Sequence, residues 1–527
     1  MLERAAENWL INTNERNYQA AFWQLLLNKG ETILYVSPHG HFEQGKDIVT
    51  INTSGGYCAY QLITGNVDLA KWRKYKPEVD ELIQLPINHP SVDSKRGHKS
   101  FIVTNGEITD DVRMMITTIN KDNIDKGRKY SYLDVVNGKS ILADIISAQQ
   151  IILPGDLKDI NKILTFYLLS GRDFLDKKNF SGLLSELFYS KKDKPSDYKN
   201  SISASLVVVS YMLFPFQKEN NYYALFEAWM IVALSIIRYA HKHKLNKDMW
   251  EGSYSIARFE ALKCLEELKM DVLSREDFLE GNLVGDGDMI YRARTTIVLG
   301  AICAHEIYCK SNNNGYALNV DIMSRVKDNI GILWFWGESA FPFYLNIIQY
   351  LELINEPDLS QALMNNVLLG VLNKNSSNSK EAFAAPYYES IDILSSIYGV
   401  QEETLDFSSF SGSSYIMDSL IEMFARRGHK QLIGENWRAI SHLYFKKFSP
   451  KYIEDVFLWR IEDGDNITEI PNETQSWREL VKKANDVKGS HEILIKFNDL
   501  MRFFAMVYPH RANSDIIKCF DTIKGAE

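Results

Sequence analysis

Apolar residues recur at helical spacing through Tyr18, Ala21, Phe22, Leu25 and Leu26, which predicts a helix over Asn14–Asn28 that Gly30 ends. The pattern then changes to short runs of period two. Thr32–Val36 reads as a strand, followed by a polar loop at Ser37–Lys46. Asp47–Ile51 and Tyr57–Ile63 read as two further strands around a tight turn at Thr53–Gly56. Side chains alternate across a strand, so Gln61 and Ile63 share one face and Leu62 takes the other. After Asn66 a helical stretch containing Leu69 and Trp72 is expected, and Pro77 is expected to start a second helix with Val79, Leu82 and Ile83 inward. Ser100–Thr104 is a short apolar strand and Asn105-Gly106 a turn. Thr109 is placed to cap a helix with Val112, Met115, Ile116 and Ile119 on its inner face and Asp110 and Asp111 in its first turn. Tyr130–Val135 is one more strand, and Ser140 starts another helix. Strands and helices in this order predict a mixed sheet flanked by helices.

Beyond Leu153 the strand-like runs stop. Apolar stripes predict helices over Leu157–Leu169, Ala204–Phe214, Ala224–Tyr239, Ser255–Leu268, Tyr291–Cys309 and Phe341–Leu353. They suit a helical bundle or an irregular solenoid, and no fixed-period repeat runs through them. Asn373–Lys380 (NKNSSNSK) reads as a low-complexity linker, and Glu462–Gln475 as a second polar break. At 527 residues the chain exceeds one ordinary core. The expected organisation is an α+β N-terminal domain over 1–152, a helical domain over 153–378 and a C-terminal helical domain over 379–527. The last two together make a large all-α region.

Hydrophobic residues at 45% and charged residues at 24% suit a soluble globular protein. A formal net charge of -9 argues against a uniformly cationic surface, yet leaves room for a local basic groove. The five cysteines (Cys58, Cys264, Cys303, Cys309 and Cys519) are scattered without a CxxC pair, as in a reducing compartment. The opening MLERAAENWL has no apolar core of signal-peptide length, so a cytoplasmic protein is expected. Ile202–Phe216 and Ala228–Ile237 are the most apolar segments and fall short of the ~20 residues that span a bilayer. They read as buried core helices, and no membrane association is expected.

Three stretches carry a resemblance: FWQLLLNKG (Phe22–Gly30), GKDIVTI (Gly45–Ile51) and YCAYQLITGN (Tyr57–Asn66). In this order they resemble the PD-(D/E)XK restriction-endonuclease-like superfamily, in particular Mrr-like members whose second motif is Gln-x-Lys. LPINHPSV and FIVTNGEITDDVR resemble the second half of the same domain, so the likeness covers a little over a quarter of the chain. It implies a restriction-endonuclease-like fold and hydrolysis of DNA with Mg2+ or Mn2+. It further implies a place in bacterial antiphage defence, as a homo-oligomer alongside a partner protein of the same defence system.

Cleaving a phosphodiester takes a divalent cation that polarises the phosphate and lowers the pKa of an attacking water. Oxygen ligands hold such an ion, and a lysine orients the water and offsets developing charge. By the resemblance, Asp47 is the metal carboxylate, Gln61 takes the second ligand position, and the backbone carbonyl of Leu62 the third. Gln24 stands where relatives carry a supporting glutamate on the first helix. Ile63 falls on the catalytic lysine position, and an aliphatic side chain neither donates a proton nor stabilises charge. Three accounts stay open: a binding-only descendant, takeover by Lys46, Lys71 or Lys74, and an inactivated variant of a working enzyme. The alternative function is a catalytically inactive scaffold or sensor subunit that binds nucleic acid or a partner protein.

Other groupings add less. His39 and His41, with Glu43, lie in the loop before Asp47 and read as phosphate contacts lining the cleft in preference to a zinc site. Cys303, His305 and Cys309 fit core packing. Gly138-Lys139-Ser140 lacks the opening glycine of a phosphate-binding loop. Arg426, Arg427, Lys430 and Arg438 lead a basic and aromatic stretch that, with Arg502, His510 and Arg511, is a candidate groove for a nucleic-acid backbone. Solvated helix faces are the plainer account of those charges.

Overall fold

A computed structural model describes residues 2–13, 15–37, 45–89, 92, 96–128, 132–147, 166, 169–189, 195–275, 287–313, 315–377, 379–399, 407–448, 450, 452–459, 467–470, 476–486 and 492–521. The chain divides into two compact units. One comprises Met1–Gly171, Leu183–Lys218 and Leu245–Ile256; the other comprises Arg172–Gly182, Glu219–Lys244 and Ala257–Glu527.

The first unit is α+β. Helices α1 (Leu2–Asn12) and α2 (Glu15–Asn28) precede β1 (Thr32–Val36), β2 (Ile48–Ile51) and β3 (Tyr57–Ile63). Then come α3 (Leu69–Gln84), β4 (His98–Thr104), α4 (Asp110–Asp125), β5 (Leu133–Val136) and α5 (Gly138–Ser147). The five strands lie in sequence order in one sheet. β1, β2 and β3 run antiparallel, whereas β4 and β5 join parallel to β3. Helices cover the sheet on two faces. On one, Phe22 of α2 meets Tyr60 edge-on, and Tyr60 stacks on Phe101 at 4.8 Å. On the other, Trp72, Val79 and Leu82 of α3 and Val112 and Ile116 of α4 pack on Val49, Ala59, Ile63 and Ile102.

Two expectations for these helices are corrected. Pro77 does not start a helix, because α3 runs continuously through it from an Asp68 cap whose side chain accepts the Lys71 N–H. Pro77 is exposed, so water can take the hydrogen bond that its missing N–H forgoes. Met115, expected inward, is 38% exposed. The buried stripe of α4 is instead Val112, Ile116, Asn120 and Asn123. Asn120 earns its buried place by bonding both the N–H and the carbonyl of Leu133, which fixes the start of β5.

The second unit is mainly helical, and Phe341–Leu353 forms the helix expected of it. It is not all-α. A small sheet joins β6 (Ser413–Ser414), β7 (Tyr444–Phe448) and β8 (Ile467–Ile470), and β8 lies inside the expected polar break. The NKNSSNSK linker is also corrected: residues on both sides of 378 belong to this unit. Asn375 is buried and donates to Glu338 and to the Ser413 carbonyl, so a polar stretch is spent on an internal hydrogen-bond network. The boundary near 152 and most of Leu157–Leu169 lie outside the described residues. Helix Tyr222–Lys242 is long and apolar enough to cross a membrane, but 89% of its most apolar window is buried against the rest of its unit.

Candidate functional site

β2 begins one residue after Asp47. The Asp47 N–H donates to the Tyr60 carbonyl at 2.8 Å, and its own carbonyl accepts the Ser37 N–H at 2.7 Å. One register step beyond the Ile48–Tyr60 pair, Asp47 therefore stands across from Gln61. Its carboxylate Oδ2 accepts the Leu62 N–H at 2.6 Å, and both Asp47 and Gln61 are buried. The Gln61 Nε2 lies 3.4 Å from Oε2 of Glu78 on α3 and 3.5 Å from the Leu62 carbonyl. Asp47, Gln61 and the Leu62 carbonyl thus meet at one patch of the sheet, beside a carboxylate from α3.

A third acidic residue, Glu15, acts on Tyr18 and Tyr75 together with Asp47. Burial pushes the Tyr75 phenol above its ordinary pKa, and the negative charges of Glu15, Glu78 and Asp47 push the same way. Tyr18 of α2 is raised by burial, Glu15 and Asp47 together. The Tyr18 hydroxyl lies 3.1 Å from the Ile63 carbonyl and 3.3 Å from that of Val103, holding the ends of β3 and β4. Gln24, expected as the supporting residue of this helix, donates to the Ala20 carbonyl of its own helix. It stands ~13 Å further along the helix than Glu15. The α2 carboxylate whose charge acts on Tyr18 and Tyr75 is Glu15. Its sequence signal was a first-turn position sharing a face with Tyr18. Tyr75 and Glu78 were missed because reading α3 as two helices hid the face shared by Lys71, Tyr75 and Glu78.

Ile63 is 0% exposed and sits within the apolar cluster under α3. Neither Lys46 nor Lys74 stands in its place. Lys46 is buried, donates to the Glu81 carbonyl at 3.3 Å, and is pushed down to about 8 by burial, partly offset by Glu81. Lys74 is exposed, 5.3 Å from the Tyr75 ring centroid. Lys71 hydrogen-bonds the Thr64 carbonyl, which brings its ammonium to the residue next to Ile63. His39, His41 and Glu43 lie outside the described residues.

The basic C-terminal groove is corrected. Arg426 and Arg427 are each 5% exposed at the side chain and pair with Asp521, Arg427 also with Glu352. Arg502, His510 and Arg511 are buried, and Lys447 pairs with Asp515 at 2.6 Å. Guanidiniums locked to internal carboxylates have no donors left for phosphate. Lys430 and Arg438, on the helix Lys430–Ile440, are exposed. The Gly138 N–H is spent on the Gly106 carbonyl, and a Cβ there would meet the Asn105 carbonyl oxygen at 2.5 Å, so this backbone packs on β4's exit and cradles no phosphate.

Among the described residues no three His, Cys, Asp or Glu side chains gather as a metal site. The patch offers the Asp47 carboxylate, the Gln61 amide oxygen and the Leu62 carbonyl, with the Glu78 carboxylate beside them. All are hard oxygen donors, the chemistry magnesium and manganese take, with water filling the remaining positions. Comparison with models of known protein families, with curated proteins and with solved structures gives no match.

Proposed function

We propose that the first unit is a restriction-endonuclease-like domain acting on DNA, with Mg2+ or Mn2+ held by Asp47, Gln61 and the Leu62 carbonyl. The observation that carries this reading is the 2.6 Å hydrogen bond from the Leu62 N–H to Asp47, which pins an acid beside Gln61 in the sheet. When bound, the ion polarises the phosphodiester and supplies a hydroxide-like water. Asp47 contributes the carboxylate ligand, oriented by the Leu62 N–H. Tyr18 fixes the β3 end that presents the Leu62 carbonyl. Lys71 supplies from α3 the positive charge that Ile63 does not. Antiphage defence with a partner protein is the setting that the resemblance suggests.

The burial of Ile63 favours a second reading, a scaffold or sensor subunit that binds DNA without cutting it. Plasmid cleavage with magnesium by the full chain separates the two. Hydrolysis by the wild type that falls ~100-fold or more in Asp47→Ala and in Lys71→Met supports the first. Cleavage gained only by Ile63→Lys, and lost again when Asp47→Ala is added, supports the second. A chain that neither cuts nor binds DNA in any of these forms sinks both.

A further inference from the structure

The second unit holds a cavity of about 580 Å³ that the DNA reading does not use. Its volume lies within the ~300–1,000 Å³ typical of small-molecule sites. Helices Gly287–Asn312, Phe341–Leu353 and Pro357–Lys374 wall it, with Arg427, Arg502 and Phe520 coming from the C-terminal part of the unit. Lys310, Arg427 and Arg502 line this wall with one acidic residue, Glu352, and Arg427 is already paired with it and with Asp521. His429 adds no further charge at neutral pH, because burial and Arg427 lower its pKa.

Arg502 is the unusual member. It is 8% exposed, yet among the described residues its guanidinium hydrogen-bonds only neutral oxygens: Asn346 Oδ1 at 2.7 Å, Gln349 Oε1 and the Phe520 carbonyl at 3.4 Å. It lies 5.0 Å from the Phe520 ring centroid. The nearest acid in its field, Asp521, is already claimed by Arg426, Arg427 and Gln349. A buried guanidinium without its own carboxylate is costly to fold, and its planar fork matches an oxyanion. Ile307, Leu353, Pro357 and Met364 add apolar surface to the wall.

We propose that this cavity binds a small organic anion, its phosphate or carboxylate head against Arg502 and its apolar or aromatic body against Phe520 and Met364. The proposal does not depend on the DNA reading. Thermal unfolding of the full chain tests it with adenosine monophosphate, phenyl phosphate, benzoate and inorganic phosphate as probes, and adenosine as the uncharged control. Millimolar adenosine monophosphate, phenyl phosphate or benzoate raises Tm, inorganic phosphate raises it less, and adenosine leaves it unchanged. A larger response to the phosphates than to benzoate assigns the head as phosphate, and the reverse assigns a carboxylate. Arg502→Met weakens binding at least ~10-fold while the free protein keeps or gains stability, because an uncompensated buried charge has gone. Tryptophan at the exposed Ser311 and Gln361 positions of the wall (Ser311→Trp with Gln361→Trp) abolishes the shift without touching Arg502. The proposal is overturned if no anionic probe shifts Tm, if adenosine shifts it equally, or if the shift survives both Arg502→Met and the tryptophan pair.

Discussion

His305 shows how burial can outweigh nearby charge in setting the behaviour of a side chain. It is 5% exposed on Gly287–Asn312, with its ring 3.7 Å from the Cys309 sulfur, and burial pushes its pKa down to about 4. Lys269 adds to that depression, whereas Glu266 and Glu306 oppose it. The unfolded chain, with an ordinary histidine, binds a proton first as pH falls. Stability is therefore full above about pH 6.5 and is lost as pH drops towards 4, by about 3 kcal/mol from this residue. Urea unfolding at neutral and acidic pH should show His305→Gln losing less stability over that window than the wild type. An unchanged slope would mean that the ring titrates normally. Arg426 and Arg427 make the complementary point. In sequence they look like any surface charges, and only Asp521, 95 residues beyond Arg426, makes them internal.

At the scale of elements, α3 positions the candidate site, and Pro77 is its weak point. A mid-helix proline removes one backbone bond and crowds the preceding turn, while its exposed position gives little packing in return. Pro77→Ala should raise the unfolding free energy by about 1–3 kcal/mol in urea titrations; a loss would show that the helix needs its proline. Local signals carried much of this unit. Thr32–Val36 and Tyr57–Ile63 have the limits that alternation and turn chemistry predict. Register then brings Asp47 across from Gln61. What alternation does not carry is docking: Glu78 reaches the patch only because α3 lies on the sheet. Met115 and Asn120 exchange their expected roles for the same kind of reason, since β5 offers Asn120 two backbone partners. β8 was invisible because a polar segment becomes a strand only when β7 pairs with it.

For the whole molecule, two units carry separable chemistry. The first presents the oxygen patch at Asp47 and Gln61 with Lys71 and Lys74 on α3, and the second encloses an Arg-lined cavity. Both readings of the first unit, cutting and binding, require DNA to dock on that patch. The net charge of -9 means that docking must rely on a few local cations, so it should be salt-sensitive. The most direct measurement is fluorescence anisotropy of a labelled DNA duplex titrated with the full chain at low and moderate salt, with Lys71→Glu and Lys74→Glu alongside. The account predicts binding that weakens with salt and falls at least ~10-fold in the charge-reversed protein. No binding at low salt, or binding indifferent to both substitutions, would contradict it.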